Sequence, residues 1–184
     1  MGAMGATGVP PGHTSEGGVI VGSEGARRRM VVFEDPQCPY CREFEERSGD
    51  LLRREVAAGA IAVEYRIRSF LGEESVRAAN ALAVAAGAGG FDELRRDMFA
   101  NQPPEHSGGF TTEDLLNLGR RVGLTSPDYV AGVQEGRYEG WVREIDEAFE
   151  AQDPEGTPFA LLDGRPIDSG SLYDPDALGA LIRD

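Results

Sequence analysis

Apolar residues recur along this chain with two different periods, and the switches between them divide it into segments. Met30-Val31-Val32-Phe33 is a continuous apolar run, as in a central strand covered on both faces, and Val19-Ile20-Val21 predicts a shorter strand before it. From Pro39 the period becomes helical: Cys41, Phe44, Ser48, Leu51, Leu52 and Val56 share one face, Gly49 weakens the middle, and Gly59 marks the stop. Ile61, Val63, Tyr65 and Ile67 then alternate with mainly polar neighbours, which predicts a strand with one wet face. Strand, helix and strand in that order make a βαβ unit, whose parallel pair implies a right-handed crossover.

Between Gly72 and Asp153 the strand pattern disappears. Val76, Ala79, Leu82 and Ala86 keep helical spacing, followed by Phe91 to Phe99. A further helix is capped at Thr111 with Asp114 and runs through Leu115, Leu118 and Val122, and another carries Trp141, Ile145 and Phe149 on one face. Trp141, the single Trp, reads as a core anchor of this helical part. His106 lies in a Pro-Pro-Glu-His-Ser-Gly-Gly loop and reads as solvated. The strand pattern returns at Phe159-Ala160-Leu161-Leu162, turns at Asp163-Gly164 into Arg165-Pro166-Ile167, and gives way to a helix with Asp174 as N-cap and Pro175 in its first turn.

Residues 1–17 lack periodicity and are rich in Gly and Pro, so they are expected to form a flexible tail in which His13 is solvated. The organisation expected is therefore an α/β domain of residues 18–71 and 153–184, with a mixed central sheet flanked by helices, interrupted by an all-helical subdomain of residues 72–152.

Composition narrows the function. At 184 residues the chain is one domain, taking about 150 residues per domain as the norm. Its 32 acidic against 18 basic side chains give a net charge of −14, which repels phosphate backbones and speaks against nucleic acid as a partner. The basic residues are all Arg, a bias to which no function attaches. No stretch approaches the roughly 18 apolar residues of a membrane span, so no membrane insertion is expected. The Gly-rich start has no apolar signal-peptide core, which predicts a cytoplasmic protein as the sequence stands, or an extracytoplasmic one if an N-terminal signal or anchor was removed.

The two cysteines, Cys38 and Cys41, are spaced Cys-x-x-Cys. In a first helical turn such residues lie about 5 to 6 Å apart at Cα, close enough to form a disulfide. Cys38 falls at the helix N-cap, where unpaired N–H groups and the dipole lower a thiol pKa. Cys41, one turn inside, is buried and stays protonated until it resolves. No metal or cofactor is expected: zinc needs four ligands, and there is no second cysteine pair, while both His lie in loops. A purely structural disulfide would close too short a loop to remove much chain entropy. Following a central strand and opening a helix in a βαβ unit, the motif points to thiol–disulfide exchange.

Three stretches carry a family resemblance: Phe33-Glu-Asp-Pro-Gln-Cys-Pro-Tyr-Cys41, then Ala78-Ala-Asn-Ala81 with Phe99-Ala-Asn-Gln102, and Gly156-Thr-Pro-Phe-Ala-Leu-Leu-Asp-Gly164. From about Val19 onward the chain resembles the DsbA-like thiol-disulfide oxidoreductases of the thioredoxin-fold superfamily. The resemblance implies that Pro158 is a cis-proline facing the cysteines and that backbone groups of Thr157 pair with a bound substrate chain. Cys38 would be the exposed attacking sulfur and Cys41 the resolving one, with substrate proteins bearing thiols or disulfides, and a redox partner, on the other side of the exchange. Pro39 and Tyr40 would tune thiolate departure, Glu34 and Asp35 would oppose a thiolate if close, and Arg42 would favour it. Tyr40 stands where the family's strong oxidants carry His, and Cys-Pro-Tyr-Cys also resembles glutaredoxins. Two alternatives stay open: a small-molecule isomerase on the DsbA fold, marked by a closed apolar pocket in the helical part, and a non-catalytic binding module, marked by an ordinary Cys38 thiol.

Overall fold

A computed structural model describes residues 8–152 and 156–184. Among these residues five strands form one sheet: β1 (Val19–Val21), β2 (Arg28–Glu34), β3 (Ile61–Ile67), β4 (Phe159–Leu162) and β5 (Arg165–Pro166), in the spatial order β1-β3-β2-β4-β5. The β2–β3 pair is parallel, with Met30 opposite Val63, and every other pair is antiparallel. The apolar run at Met30–Phe33 thus becomes the middle strand, with Met30, Val32 and Phe33 fully buried. Helix α1 (Pro39–Ala57) makes the crossover from β2 to β3 and buries Cys41, Phe44, Ser48, Leu51 and Leu52. Gly49 has a reason to sit in its middle: a Cβ there would meet the Glu45 carboxylate at 2.5 Å. After β5 come the single turn α7 (Ser169–Leu172) and α8 (Pro175–Arg183), capped by Asp174.

Among the described residues, five helices lie between β3 and β4: α2 (Glu73–Gly87), α3 (Phe91–Ala100), α4 (Thr112–Arg121), α5 (Pro127–Glu135) and α6 (Glu139–Glu150). The Thr111–Asp114 capping box opens α4, as its sequence spacing predicts. Helix α5 is an addition to the sequence reading, which has no element there. Ser126 caps it and Pro127 opens it, but its buried side is Tyr129, Gly132 and Val133, too short an apolar stripe to register as a period. Gly132 faces Val84, where a Cβ would come within 2.8 Å, so this helix packs closely on α2.

Two expectations are corrected. Strand β3 has no wet face, since Ile61 through Tyr65 are all buried, including Ala62 and Glu64. Glu64 is compensated by polar partners: it accepts from Thr14 Oγ1 at 2.9 Å and pairs with Arg66 at 3.1 Å and Arg29 at 3.4 Å. Thr14 belongs to the second correction. Residues 8–17 form a strap held against the protein instead of a free tail: Val9 is buried and Gly12 lies against the Ala86 carbonyl, where a Cβ would sit at 2.5 Å. His13, expected in solvent, packs edge-on to Trp141 with ring centroids 5.0 Å apart, and burial lowers its pKa. Residues 1–7 and Asp153 lie outside the described residues. Among the described residues no helix is long and apolar enough to cross a membrane.

Candidate active site

Strand β2 delivers the chain to the cysteines. Beyond Glu34 it turns through Asp35-Pro36-Gln37, with the Cys38 N–H donating to Asp35 O at 2.9 Å, and Cys38 becomes the N-cap of α1 in extended conformation. Its Sγ accepts from the Cys41 N–H at 3.3 Å. Pro39 at the first helical position has no N–H to leave unpaired, and with Tyr40 it forms the exposed flank of the motif. Across the site the Thr157–Pro158 peptide bond is cis, and the Thr157 carbonyl oxygen lies 3.5 Å from Cys38 Sγ. Both cysteines are free thiols.

The two sulfurs are chemically unlike. The Cys38 thiol is lowered from 9.0 to about 7, first by the hydrogen bond from the Cys41 side chain. Burial opposes that, while Thr157 and the N–H groups of Cys41 and Tyr40 add to it. The Thr157 hydroxyl is buried and has no hydrogen-bond partner among the described residues. Cys41 is pushed well above the usual thiol range, first by burial, then by Cys38 and by the Glu34 charge. One correction applies: Cys38 is only 4% exposed, because Phe99 and Leu71 from the helical side pack with the cysteine pair.

The charged candidates fall elsewhere than on the Cys38 sulfur. Glu34 is fully buried, accepts from Arg95 Nε at 2.5 Å through one carboxylate oxygen, and leaves the other unpaired. Burial pushes it up to about 7 against the pull of Arg95. That guanidinium also reaches Glu45 at 2.6 Å and Asp92 at 3.1 Å and stacks 3.9 Å from the Tyr65 ring centroid. Asp35 is spent on the turn: it accepts from Ser75 Oγ at 2.5 Å, Gln37 N at 3.0 Å and Leu71 N at 3.2 Å, and burial raises it to about 6. Arg42, expected to favour the thiolate, turns away and pairs with Glu46 at 2.7 Å.

Residues that the sequence reading did not single out complete the site. Gln37 donates to Leu71 O and Ser75 Oγ and accepts from the His106 N–H. Gln102, just past α3, donates from Nε2 to Pro36 O and Cys38 O. Cavities are found away from the sulfurs. One of about 740 Å³ lies at the opposite end of β2 beside Arg27 and Arg28. Another of about 260 Å³, between Pro103, Phe110 and Leu118, also carries Asp114 and Arg121, so it is a polar-rimmed groove instead of a closed apolar pocket.

This strand-to-helix cysteine pair, faced by a cis-proline within a β1-β3-β2-β4-β5 sheet, belongs to a recognisable class. The family model described as Thioredoxin matches residues 14–184, and the chain belongs to that family. More particularly, its fold is that of the DsbA-type oxidoreductases. It superposes on the reduced disulfide bond oxidoreductase DsbG of Mycobacterium tuberculosis with a TM-score of 0.79 at 24% identity, covering 90% of this chain and 86% of that one. MdbA, a thiol-disulfide oxidoreductase from Actinomyces oris, gives 0.80 at 22% identity over 94% and 88%, and oxidised BdbD from Bacillus subtilis gives 0.80 at 18% over 95% and 96%. Among curated proteins the chain is 27% identical over 181 residues to the serine/threonine-protein kinase PknE of Mycobacterium tuberculosis. That match covers 90% of this chain but 31% of PknE, so the chain spans under a third of the length of the curated relatives it matches.

Proposed function

We propose that the protein exchanges a Cys38–Cys41 disulfide with thiols of substrate proteins through a mixed disulfide. In the oxidising direction a substrate thiolate attacks Cys38 Sγ, the Cys38–Cys41 bond breaks, and Cys41 leaves with the electron pair and takes up a proton. A second substrate thiolate then attacks the substrate sulfur of the mixed disulfide, which releases the substrate disulfide and the Cys38 thiolate. The reverse sequence reduces a substrate disulfide. The observation that carries this reading is the asymmetry of the pair: Cys38 ionises at about 7 on a helix N-terminus, while its partner one turn on is buried and protonated. An extended substrate segment would lie beside Thr157 and be held by main-chain hydrogen bonds.

Trapping tests the roles. Cys41→Ser should accumulate covalent adducts with substrate proteins on non-reducing gels, and Cys38→Ser should form none. Adducts from Cys38→Ser alone would reverse the assignment, and a Cys38 thiol titrating at its ordinary value would favour a binding module. Direction is set by the reduction potential against glutathione. Tyr40 lacks the imidazole of strong oxidants, so a value more reducing than the roughly −120 mV of DsbA is expected. Such a value suits a cytosol, whereas one near −120 mV would argue for an extracytoplasmic oxidase.

A further inference from the structure

The helical insertion packs Phe99 against the cysteine pair and hydrogen-bonds to the backbone at the reacting cysteine through Gln102. Gln102 follows the last turn of α3, and its Nε2 donates at 2.8 Å to Pro36 O and at 3.0 Å to Cys38 O. These two carbonyls belong to the peptide planes on either side of the Gln37-Cys38 step. The Cys38 carbonyl is shared: it also accepts the Arg42 N–H at 3.2 Å, the first backbone hydrogen bond of α1. Its orientation therefore fixes the N-cap ψ of 117°, and with it the placement of Sγ over the Cys41 N–H. The donated hydrogens also offset the negative ends of two carbonyl dipoles close to a developing anion.

We infer that Gln102 is a positioning residue for Cys38: its amide bolts the insertion to the carbonyls of Pro36 and Cys38, on either side of the Gln37–Cys38 peptide, and sets how firmly the α1 N-terminus holds the thiolate. The inference rests on the proposed exchange activity and deepens it, since it gives the insertion a part in the chemistry. No other hydrogen bond from α3 or the loop after it reaches the backbone of Cys38 among the described residues. Gln37 is the reciprocal link, running from the site to the His106 N–H of that loop, but it touches neither carbonyl. The charged neighbours are otherwise engaged. Glu34 is bound to Arg95 and Asp35 to Ser75, while Tyr173 donates its hydroxyl proton to Tyr40 O.

The test uses the full chain with Gln102→Met, which keeps length and bulk but removes the donor, and Gln102→Glu, which at neutral pH presents a carboxylate to two carbonyl oxygens. The ultraviolet absorbance of the thiolate, titrated in the reduced protein, reads Cys38 directly, and a melting curve confirms that each variant is folded. Gln102→Met should move the titration midpoint up from about 7 by about one unit, a drop of about fivefold in thiolate at neutral pH, and Gln102→Glu should move it further. Above the shifted midpoint the pair should become more reducing by up to about 30 mV, the equivalent of tenfold. If wild type titrates near 7 and both folded variants do the same, Gln102 is a structural tie only and the inference falls while the proposed activity stands. If wild type itself titrates as an ordinary thiol and Cys41→Ser traps nothing, both fall together.

Discussion

Beneath Cys41 the polar contacts are ionic, whereas around Cys38 they are hydrogen bonds from the amides of Gln37 and Gln102 and the hydroxyl of Ser75, with Asp35 as the acceptor in the turn. The ionic set gathers three carboxylates, Glu34, Glu45 and Asp92, on the buried guanidinium of Arg95. The difference lies in what each set can lose. A buried charge depends on its partner, and removing that partner leaves an uncompensated ion. A neutral bond can be deleted at modest cost, so the amide set can be tuned for reactivity at far less cost than losing the buried Arg95 cation.

The largest effect should follow from Arg95→Met. With Glu34 left buried without a cation and Glu45 left with Arg53 alone, stability measured by urea unfolding should fall by about 3–5 kcal/mol. A loss below about 1 kcal/mol would erase the contrast.

Next in size is a pH effect. Glu34 is raised from 4.5 to about 7 and Asp35 from 3.8 to about 6, both by burial. The folded protein holds these protons where the unfolded chain has released them, so the contribution of these two groups to stability is present at acid pH and is lost as pH climbs through their folded values toward 7. Cys38 has the opposite sign. Lowered from 9.0 to about 7, its thiolate adds stability to the reduced protein between those values. Urea midpoints against pH should show a minimum near neutrality for reduced protein and no recovery on the alkaline side for oxidised protein. Glu34→Gln should flatten the acid limb and, by removing the charge that raises Cys41, lower that thiol. An unchanged acid limb would show that Glu34 stays ionised when folded.

The smallest effect should come from the neutral side. Ser75→Ala removes a donor from Asp35 and should cost about 1 kcal/mol, pushing the Asp35 carboxyl higher in a carboxyl NMR titration while leaving Cys38 where it is. A Cys38 shift of a full unit would show that the two networks are not separable.

What could be read from sequence and what could not follows the range of the interactions. The cysteine pair, the Thr111 cap, the Asp163-Gly164 turn and the Asp174 start of α8 are signals contained within a few residues, and all are found in the fold. The strap over residues 8–17 was hidden because its Gly-rich composition looks like a tail. Gly12 is there because only a residue without Cβ can lie on the Ala86 carbonyl. The burial of Ala62 and Glu64 depends on partners far along the chain, and so does the Glu34–Arg95 pair, 61 positions apart. Gln102 lay within a stretch that carried the family resemblance, yet nothing in its local sequence says that it reaches back 64 positions to Cys38 O.

The separation of Cys38 from Thr157 has a consequence for how the chain comes into being. The thiol and the carbonyl that faces it are 119 positions apart, and β4, which completes the sheet beside β2, arrives only after all five helices of the insertion. At about 5–20 residues per second, a chain growing from its N-terminus carries the cysteine pair for roughly 6 to 24 seconds before Thr157 is made. During synthesis the two thiols can therefore meet other thiols with one wall of their site still missing.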